Sequence, residues 1–135
     1  MHITLLGYAM GALFVAVTLG LWLSSIYLLR EEAPKGMVTG LAHGSVGALC
    51  VSLVFVALNR PNPGLGPTAG QPAGHFGWIA FYTLVITLAG GLTILTTHLA
   101  RRRVSPLLVA LHASAGIAAT VILCAYWVSP LSYGR

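Results

Sequence analysis

Four long runs of apolar residues dominate the chain, and charged or turn-forming residues separate them. The runs cover residues 3–29, 37–58, 76–99 and 104–128, and none contains Asp, Glu, Lys or Arg. Each exceeds the roughly 20 residues that an α-helix needs to cross the hydrocarbon core of a bilayer. A transmembrane β-barrel would show short segments of alternating hydrophobicity instead. The pattern predicts an all-α integral membrane protein, a four-helix bundle that forms one transmembrane domain.

The composition supports a membrane protein and excludes several soluble classes. Apolar residues make up 57% of the 135 residues and charged residues only 7%, against about 25% charged in a soluble domain. The net charge of +5 does not indicate nucleic-acid binding, because the basic residues stand at the ends of the apolar runs and form no stripe with aromatic residues. The lipid bilayer is therefore the expected environment.

The basic residues also predict an orientation. One side of the membrane would carry two arginines, whereas the other would carry five basic residues, namely Arg30, Lys35, Arg101, Arg102 and Arg103. The positive-inside rule places the five in the cytoplasm. We therefore expect a multi-pass protein of the bacterial inner (plasma) membrane with both termini outside the cytoplasm. The first run follows no basic segment and is too long for a signal peptide, so it is expected to be a retained helix.

The segment 59–75 between the second and third runs is predicted to be an outer loop. It reads NRPNPGLGPTAGQPAGH, and its prolines and glycines disfavour regular helix or sheet. A plain linker between two helical hairpins is the favoured interpretation. A lid over an outer site is the alternative.

A short pattern recurs in the second and fourth runs. HGSVG occupies residues 43–47, HASAG occupies residues 112–116, and the first and third runs each follow a histidine, His2 or His75. The chain is therefore predicted to be a tandem parallel repeat of two helical hairpins with up-down topology, related by an axis along the membrane normal. His43 and His112 would then lie at the same depth in the cytoplasmic half.

These two histidines are the main functional candidates, because an ionisable residue inside a span is expensive and usually functional. Neutral imidazole is a good ligand for haem iron and other transition metals. Gly47 and Gly116 lie four residues after the histidines, on the same helix face, and Gly40 extends the notch in the second helix. The pattern predicts that His43 and His112 are the metal ligands, holding one haem b per chain on its two axial sides.

Other polar residues near this depth have secondary roles in the prediction. Arg101 and Arg102, with Arg103 or Arg30, are suited to pair with haem propionates. His98 could replace a ligand or bind a propionate, but a histidine near a helix C-terminus is also favourable on dipole grounds alone. His2 and His75 at the outer rim could form a second site or be solvated polar ends. No CxxCH motif is present, which excludes covalent c-type attachment.

A cofactor-free interpretation stands beside the haem prediction. A histidine in a membrane bundle can form a hydrogen bond to Ser, Thr or a backbone carbonyl of a neighbouring helix. Small residues at Gly40, Gly44 and Ala48 can likewise serve close helix packing. The threonines of the third helix are expected to form hydrogen bonds within their own helix, with a polar path as the alternative.

On these residues the chain resembles the small bacterial four-helix b-type cytochromes of membranes. The resemblance rests on His43, Gly47, His112 and Gly116 and on the four spans. It implies haem held between facing helices and electron transfer between quinol and an acceptor. The b561-type cytochromes, which hold two haems, pair histidines near both membrane faces, whereas no helix here carries two deep histidines. One haem, and a partner that moves electrons across the membrane, are therefore expected.

Three classes of function follow from these features. The first is a membrane electron carrier, a possible oxidoreductase component linked to quinol or to a larger respiratory or photosynthetic complex. The second is a cofactor-free accessory subunit of a larger membrane complex. The third, a small transporter or channel, is disfavoured because the spans contain no acidic residue to bind a cation or relay protons. Hydrolase and kinase activities are disfavoured because no nucleophile–His–acid set or phosphate-binding glycine motif is present.

Overall fold

The computed structural model describes residues 2–29, 37–59 and 72–128, and the helices in these segments are long. They are α1 (His2–Leu29), α2 (Met37–Asn59), α3 (Pro72–Leu99) and α4 (Pro106–Val128). Each of the four is long and apolar enough to cross a membrane, which confirms the four predicted helical spans and agrees with a multi-pass membrane protein. The predicted inner loop with Arg30 and Lys35 lies outside the described residues, as do residues 60–71 of the outer loop.

Proline sets the start of two helices. α3 begins at Pro72 and α2 extends to Asn59, so the prediction that the whole segment 59–75 avoids regular helix is wrong at both ends. The first N–H groups of a helix have no intrahelical partner, and proline, which lacks this group, is well tolerated there. α4 likewise begins at Pro106, later than predicted, and the Ser105 carbonyl accepts a hydrogen bond from the Val109 amide at 3.2 Å.

The helices pack as a ring of neighbours. α1 packs mainly against α2, and α3 packs mainly against α4. Smaller interfaces join α2 to α3 and α1 to α4, while the described parts of α1 and α3, and of α2 and α4, are not in close backbone contact. The described residues therefore form a four-helix bundle in which α2 and α4 are diagonal to each other.

The close-packed core occupies only one half of this bundle. Its buried residues come from the early parts of α1 and α3 and the late parts of α2 and α4: Leu6, Ala9, Met10, Leu13, Cys50, Val54, Ala57, Ala80, Leu84, Ala119, Leu123 and Tyr126. In the other half, no residue of 17–25, 37–49 or 85–118 is buried. The two halves therefore differ in how many of their described residues are buried.

The buried positions have the same spacing in the two hairpins. Leu6, Ala9 and Leu13 of α1 are spaced as Gly77, Ala80 and Leu84 of α3, and all six are buried. Cys50, Val54 and Ala57 of α2 are spaced as Ala119, Leu123 and Tyr126 of α4, and these six are also buried. The buried residues of α1 and α2 thus have the same sequence spacing as those of α3 and α4.

Gly77 marks the tightest helix approach in the packed half. A Cβ atom added to Gly77 would lie 2.5 Å from Leu58 Cδ2 and 3.1 Å from Tyr126 Cζ. An added Cβ at Gly44 would meet no heavy atom within 4 Å. We expect Gly77→Ala to be less stable than the matched Gly44→Ala variant by about 1–3 kcal/mol, the usual cost of overpacking. Unfolding in mixed detergent followed by circular dichroism measures the difference, and equal stability of the two variants would contradict this packing.

Candidate functional site

His43 and His112 lie side by side in the structure. Their ring centroids are 6.0 Å apart and their planes are inclined at 81°, and both residues are half-buried. They come from α2 and α4, whose backbones are not in close contact. The two imidazoles therefore meet across the middle of the bundle. The structure thus brings together the two residues on which the sequence prediction rests.

Each imidazole is held by a backbone carbonyl of the neighbouring helix. His43 Nδ1 lies 2.8 Å from the Ala16 carbonyl oxygen of α1, and His112 Nδ1 lies 2.9 Å from the Thr87 carbonyl oxygen of α3. A carbonyl oxygen can only accept, so Nδ1 carries the proton and donates it in both residues. In neutral imidazole, Nε2 then retains its lone pair and remains available for another partner.

A glycine lies against each imidazole, four residues after the carbonyl that holds it. A Cβ atom added to Gly20 would lie 3.0 Å from His43 Cε1, and one added to Gly91 would lie 3.0 Å from His112 Cε1. Any side chain at these two positions would press on the ring. α1 and α3 therefore contact the histidine of the neighbouring helix in the same way. Each supplies a backbone carbonyl and, one turn later, a glycine.

The predicted notch glycines have different surroundings. A Cβ atom added to Gly40 or Gly47 would have no heavy atom within 4 Å, whereas one added to Gly116 would lie 3.5 Å from Thr87 Cγ2. Gly116 is therefore part of the α3–α4 contact, while Gly40 and Gly47 border open space. That these glycines make room for a flat cofactor remains a prediction.

The remaining predicted site residues lie at the ends of α3. His98 is half-buried in the last turn of α3, and Arg101 and Arg102 are exposed in the turn that follows. The start of α4 at Pro106 is roughly 9 Å along the helix axis from His112, at 1.5 Å per residue. His75 is exposed at the opposite end of α3, and the side chain of His2 lies outside the described residues. The propionate role of the arginines stays a prediction.

The histidine pair is not part of a larger cluster of protein ligands. Among the described residues, no group of three or more His, Cys, Asp or Glu side chains is placed to hold a metal ion. A structural zinc site needs four protein ligands and a catalytic one usually three. The pair could therefore ligate a metal only with further ligands from outside the described residues.

The threonines of α3 satisfy their hydroxyl groups within the helix, as predicted. Thr83, Thr87, Thr93, Thr96 and Thr97 each donate to a carbonyl three or four residues earlier, at 2.7–3.0 Å. This pattern is the ordinary one for threonine in an apolar helix. It gives no support to a polar path along α3.

Sequence reasoning missed the supporting residues on α1 and α3. Ala16 and Thr87 act through their backbone carbonyls, which carry no side-chain signal. The available signal was the pair of segments 16–20 and 87–91, each with a small residue or threonine at its start and a glycine at its end. Small residues at this spacing are common in membrane helices. The spacing therefore identifies a contact with the histidines only when the positions of the histidines are also known.

Comparisons with known proteins give no relative from which a function could be transferred. No family model matches the chain, no curated protein is similar to it, and no solved structure matches it. The functional argument therefore rests on the geometry of the histidine pair and its surroundings.

Proposed function

We propose that the protein carries electrons in the membrane through one b-type haem, with His43 and His112 as its axial ligands. The observation that carries this proposal is the pairing of two imidazoles 6.0 Å apart, each oriented by a hydrogen bond from Nδ1 to a carbonyl of the next helix. A haem held by the two imidazoles would supply an iron that can change between the ferrous and ferric states, and thus a means of single-electron transfer.

The separation of the two rings suits ligands on opposite sides of one metal ion. Imidazole nitrogen binds a transition metal at about 2.0–2.1 Å, and the ring centre lies about 1 Å beyond that nitrogen, so two opposed rings have centres ~6 Å apart. The observed separation is 6.0 Å. Direct ring packing would also permit this distance, so the separation supports the proposal only together with the hydrogen bonds.

The hydrogen bonds give both histidines the arrangement typical of metal ligands. A ligating histidine usually donates its second ring N–H to a carboxylate, a carbonyl or a water, which fixes the tautomer and the ring orientation. Ala16 and Thr87 supply such carbonyls here. The ring nitrogen with the lone pair is then Nε2 in both residues, as a ligand requires.

The described residues around the histidines leave much apolar surface uncovered, which supports the binding of a large apolar group there. Protein interiors are normally close-packed, yet no residue of 37–49 or 85–118 is buried. Gly40 and Gly47 add no side chain to this region. A porphyrin also supplies four of the six iron ligands, which agrees with a site that has two histidines and no third protein ligand among the described residues.

The proposal also covers the topology of the helices, the membrane in which the chain lies and its redox partner. Matched buried positions and matched carbonyl–histidine bonds support a tandem parallel repeat of two hairpins with up-down topology. We place the chain in the plasma membrane of a bacterium with both termini outside, on the basis of its basic residues. Because one haem in the inner half cannot carry electrons across the membrane by itself, we propose a quinol or a larger redox complex as its partner.

The angle between the imidazole planes gives a direct test. Low-spin ferric haem with nearly perpendicular axial imidazoles has a strongly anisotropic electron paramagnetic resonance spectrum, whereas nearly parallel planes give a rhombic one. The planes here are inclined at 81°, so we expect the strongly anisotropic signal from the oxidised, purified protein. A high-spin spectrum from protein that has bound haem would contradict ligation by both histidines.

The cofactor-free accessory subunit is a second candidate, because the same hydrogen bonds also favour it. An imidazole that donates to a carbonyl of the adjacent helix fastens α2 to α1, or α4 to α3, without any cofactor. Interhelical hydrogen bonds of this kind contribute about 0.6 kcal/mol on average. In that case a folded protein expressed with ample haem would remain colourless.

A further inference from the structure

The turn between α3 and α4 carries three successive arginines, and the first of them has an unusual backbone conformation. Arg101, Arg102 and Arg103 are all exposed, and Arg101 has a φ of 53°. The Arg101 amide donates to the His98 carbonyl at 3.0 Å, and the Arg102 amide donates to the Thr97 carbonyl at 3.1 Å. This is the Schellman arrangement, in which the left-handed position usually belongs to glycine.

Arginine at this position is unfavourable for the backbone, because the left-handed region disfavours residues with a Cβ atom. A glycine would close the helix equally well. Strained residues persist where the surrounding structure or a function holds them, and an observed outlier justifies a functional hypothesis. The residue therefore points to a use for the guanidinium group itself.

The chain offers the arginines no carboxylate among its described residues. Its only acidic residues are Glu31 and Glu32, which lie outside the described segments. The three guanidinium groups thus concentrate positive charge at a turn, and the N-terminus of α4 adds the positive end of its helix dipole. An anion bound here would come from outside the described residues.

The neighbouring residues indicate which anion this is. Leu99 at the end of α3 is 55% exposed, and Leu107 in the first turn of α4 is 67% exposed. Exposed apolar side chains beside exposed arginines match the two parts of a phospholipid, acyl chains and a charged headgroup. Guanidinium binds phosphate with paired hydrogen bonds, which suits arginine better than lysine for this purpose.

We propose that the α3–α4 turn, residues 100–105, binds the phosphate of an anionic phospholipid through Arg101, Arg102 and Arg103. The binding anchors this end of the bundle at the level of the headgroups. It does not depend on haem, because the turn lies at the ends of α3 and α4 and the site needs no cofactor.

Competition between two lipids tests the proposal. The full chain in mild detergent is mixed with equal amounts of phosphatidylglycerol and phosphatidylcholine, and bound lipid is measured by native mass spectrometry. We expect the wild type to retain phosphatidylglycerol preferentially. Each Arg→Gln substitution in the turn should lower that preference about five-fold, the usual contribution of one basic residue near an anionic surface. Arg60→Gln, a matched loss of one charge elsewhere in the sequence, should leave it unchanged.

Two further arms separate lipid binding from the stability of the turn and from the binding of free phosphate. Arg101→Gly keeps the turn and relieves the backbone, so it should raise the melting temperature while it lowers the phosphatidylglycerol preference. This variant remains informative if an Arg→Gln variant fails to fold. Excess inorganic phosphate should not displace the lipid, and displacement would identify a free-phosphate site instead. Unchanged lipid preference in the Arg→Gln variants would overturn the proposal. If the same variants also lost haem, the arginines would be assigned to the haem propionates instead.

Discussion

Substitution of His43 or His112 by alanine should abolish stoichiometric haem binding. Each imidazole would supply one axial ligand, and removal of either leaves a single histidine at a site where no group of three or more metal-binding side chains occurs among the described residues. We expect the absorption bands of six-coordinate b-type haem to disappear in both variants. Visible spectra and haem content per purified chain measure the effect.

Two other histidines provide matched controls. His75 is exposed at the opposite end of α3, so His75→Ala should retain the wild-type spectrum and haem content. His98→Ala tests the remaining alternative ligand, and it should also retain the spectrum if the central pair is correct. Wild-type spectra in both His43→Ala and His112→Ala would refute the assignment, whereas loss in His98→Ala with retention in one of that pair would move the ligation to His98.

Gly91→Ala should weaken haem binding through its effect on the His112 ring. The added Cβ atom would lie 3.0 Å from His112 Cε1, so the ring must move or the bond from Nδ1 to the Thr87 carbonyl must lengthen. Loss of a group that orients a metal ligand typically lowers affinity 10–100-fold. Gly20→Ala should act in the same way on His43, because its added Cβ atom would also lie 3.0 Å from the ring.

Gly90→Ala is the matched control for this prediction. Its added Cβ atom would lie 3.5 Å from His112 Nδ1, which is an ordinary van der Waals contact. The two neighbouring glycine variants should therefore differ in haem affinity, measured by titration of haem into the apoprotein. Equal affinities for the Gly90 and Gly91 variants would show that the imidazole position is not critical, and would favour the packing role of the histidines.

The sequence predicted the helices well, because uninterrupted apolar runs longer than a bilayer leave few alternatives to a membrane span. It predicted their ends less well. Pro72 was interpreted as part of a loop, yet proline suits the first turn of a helix and α3 begins there. Which face of each helix is buried was also hard to read, because lipid and protein interior both accept apolar side chains and the amphipathic pattern of a soluble bundle is absent.

The site was predicted in part. His43 and His112 could be paired from their repeated neighbours, and the structure places their rings 6.0 Å apart. The carbonyls of Ala16 and Thr87 could not be predicted, since any residue supplies a carbonyl. Gly47 and Gly116 occupy equivalent positions in the repeated sequence pattern but have different surroundings. Only Gly116 packs against a neighbouring helix.

The central claim is that the histidine pair holds one haem, and haem content per chain tests it most directly. The protein should be expressed with ample haem, purified in mild detergent and examined by its reduced-minus-oxidised visible spectrum together with haem quantification. We predict a b-type difference spectrum and about one haem per chain. About two haems per chain would add a second site that could involve His2 and His75. A folded but colourless protein would contradict the claim and leave the accessory-subunit role as the better account.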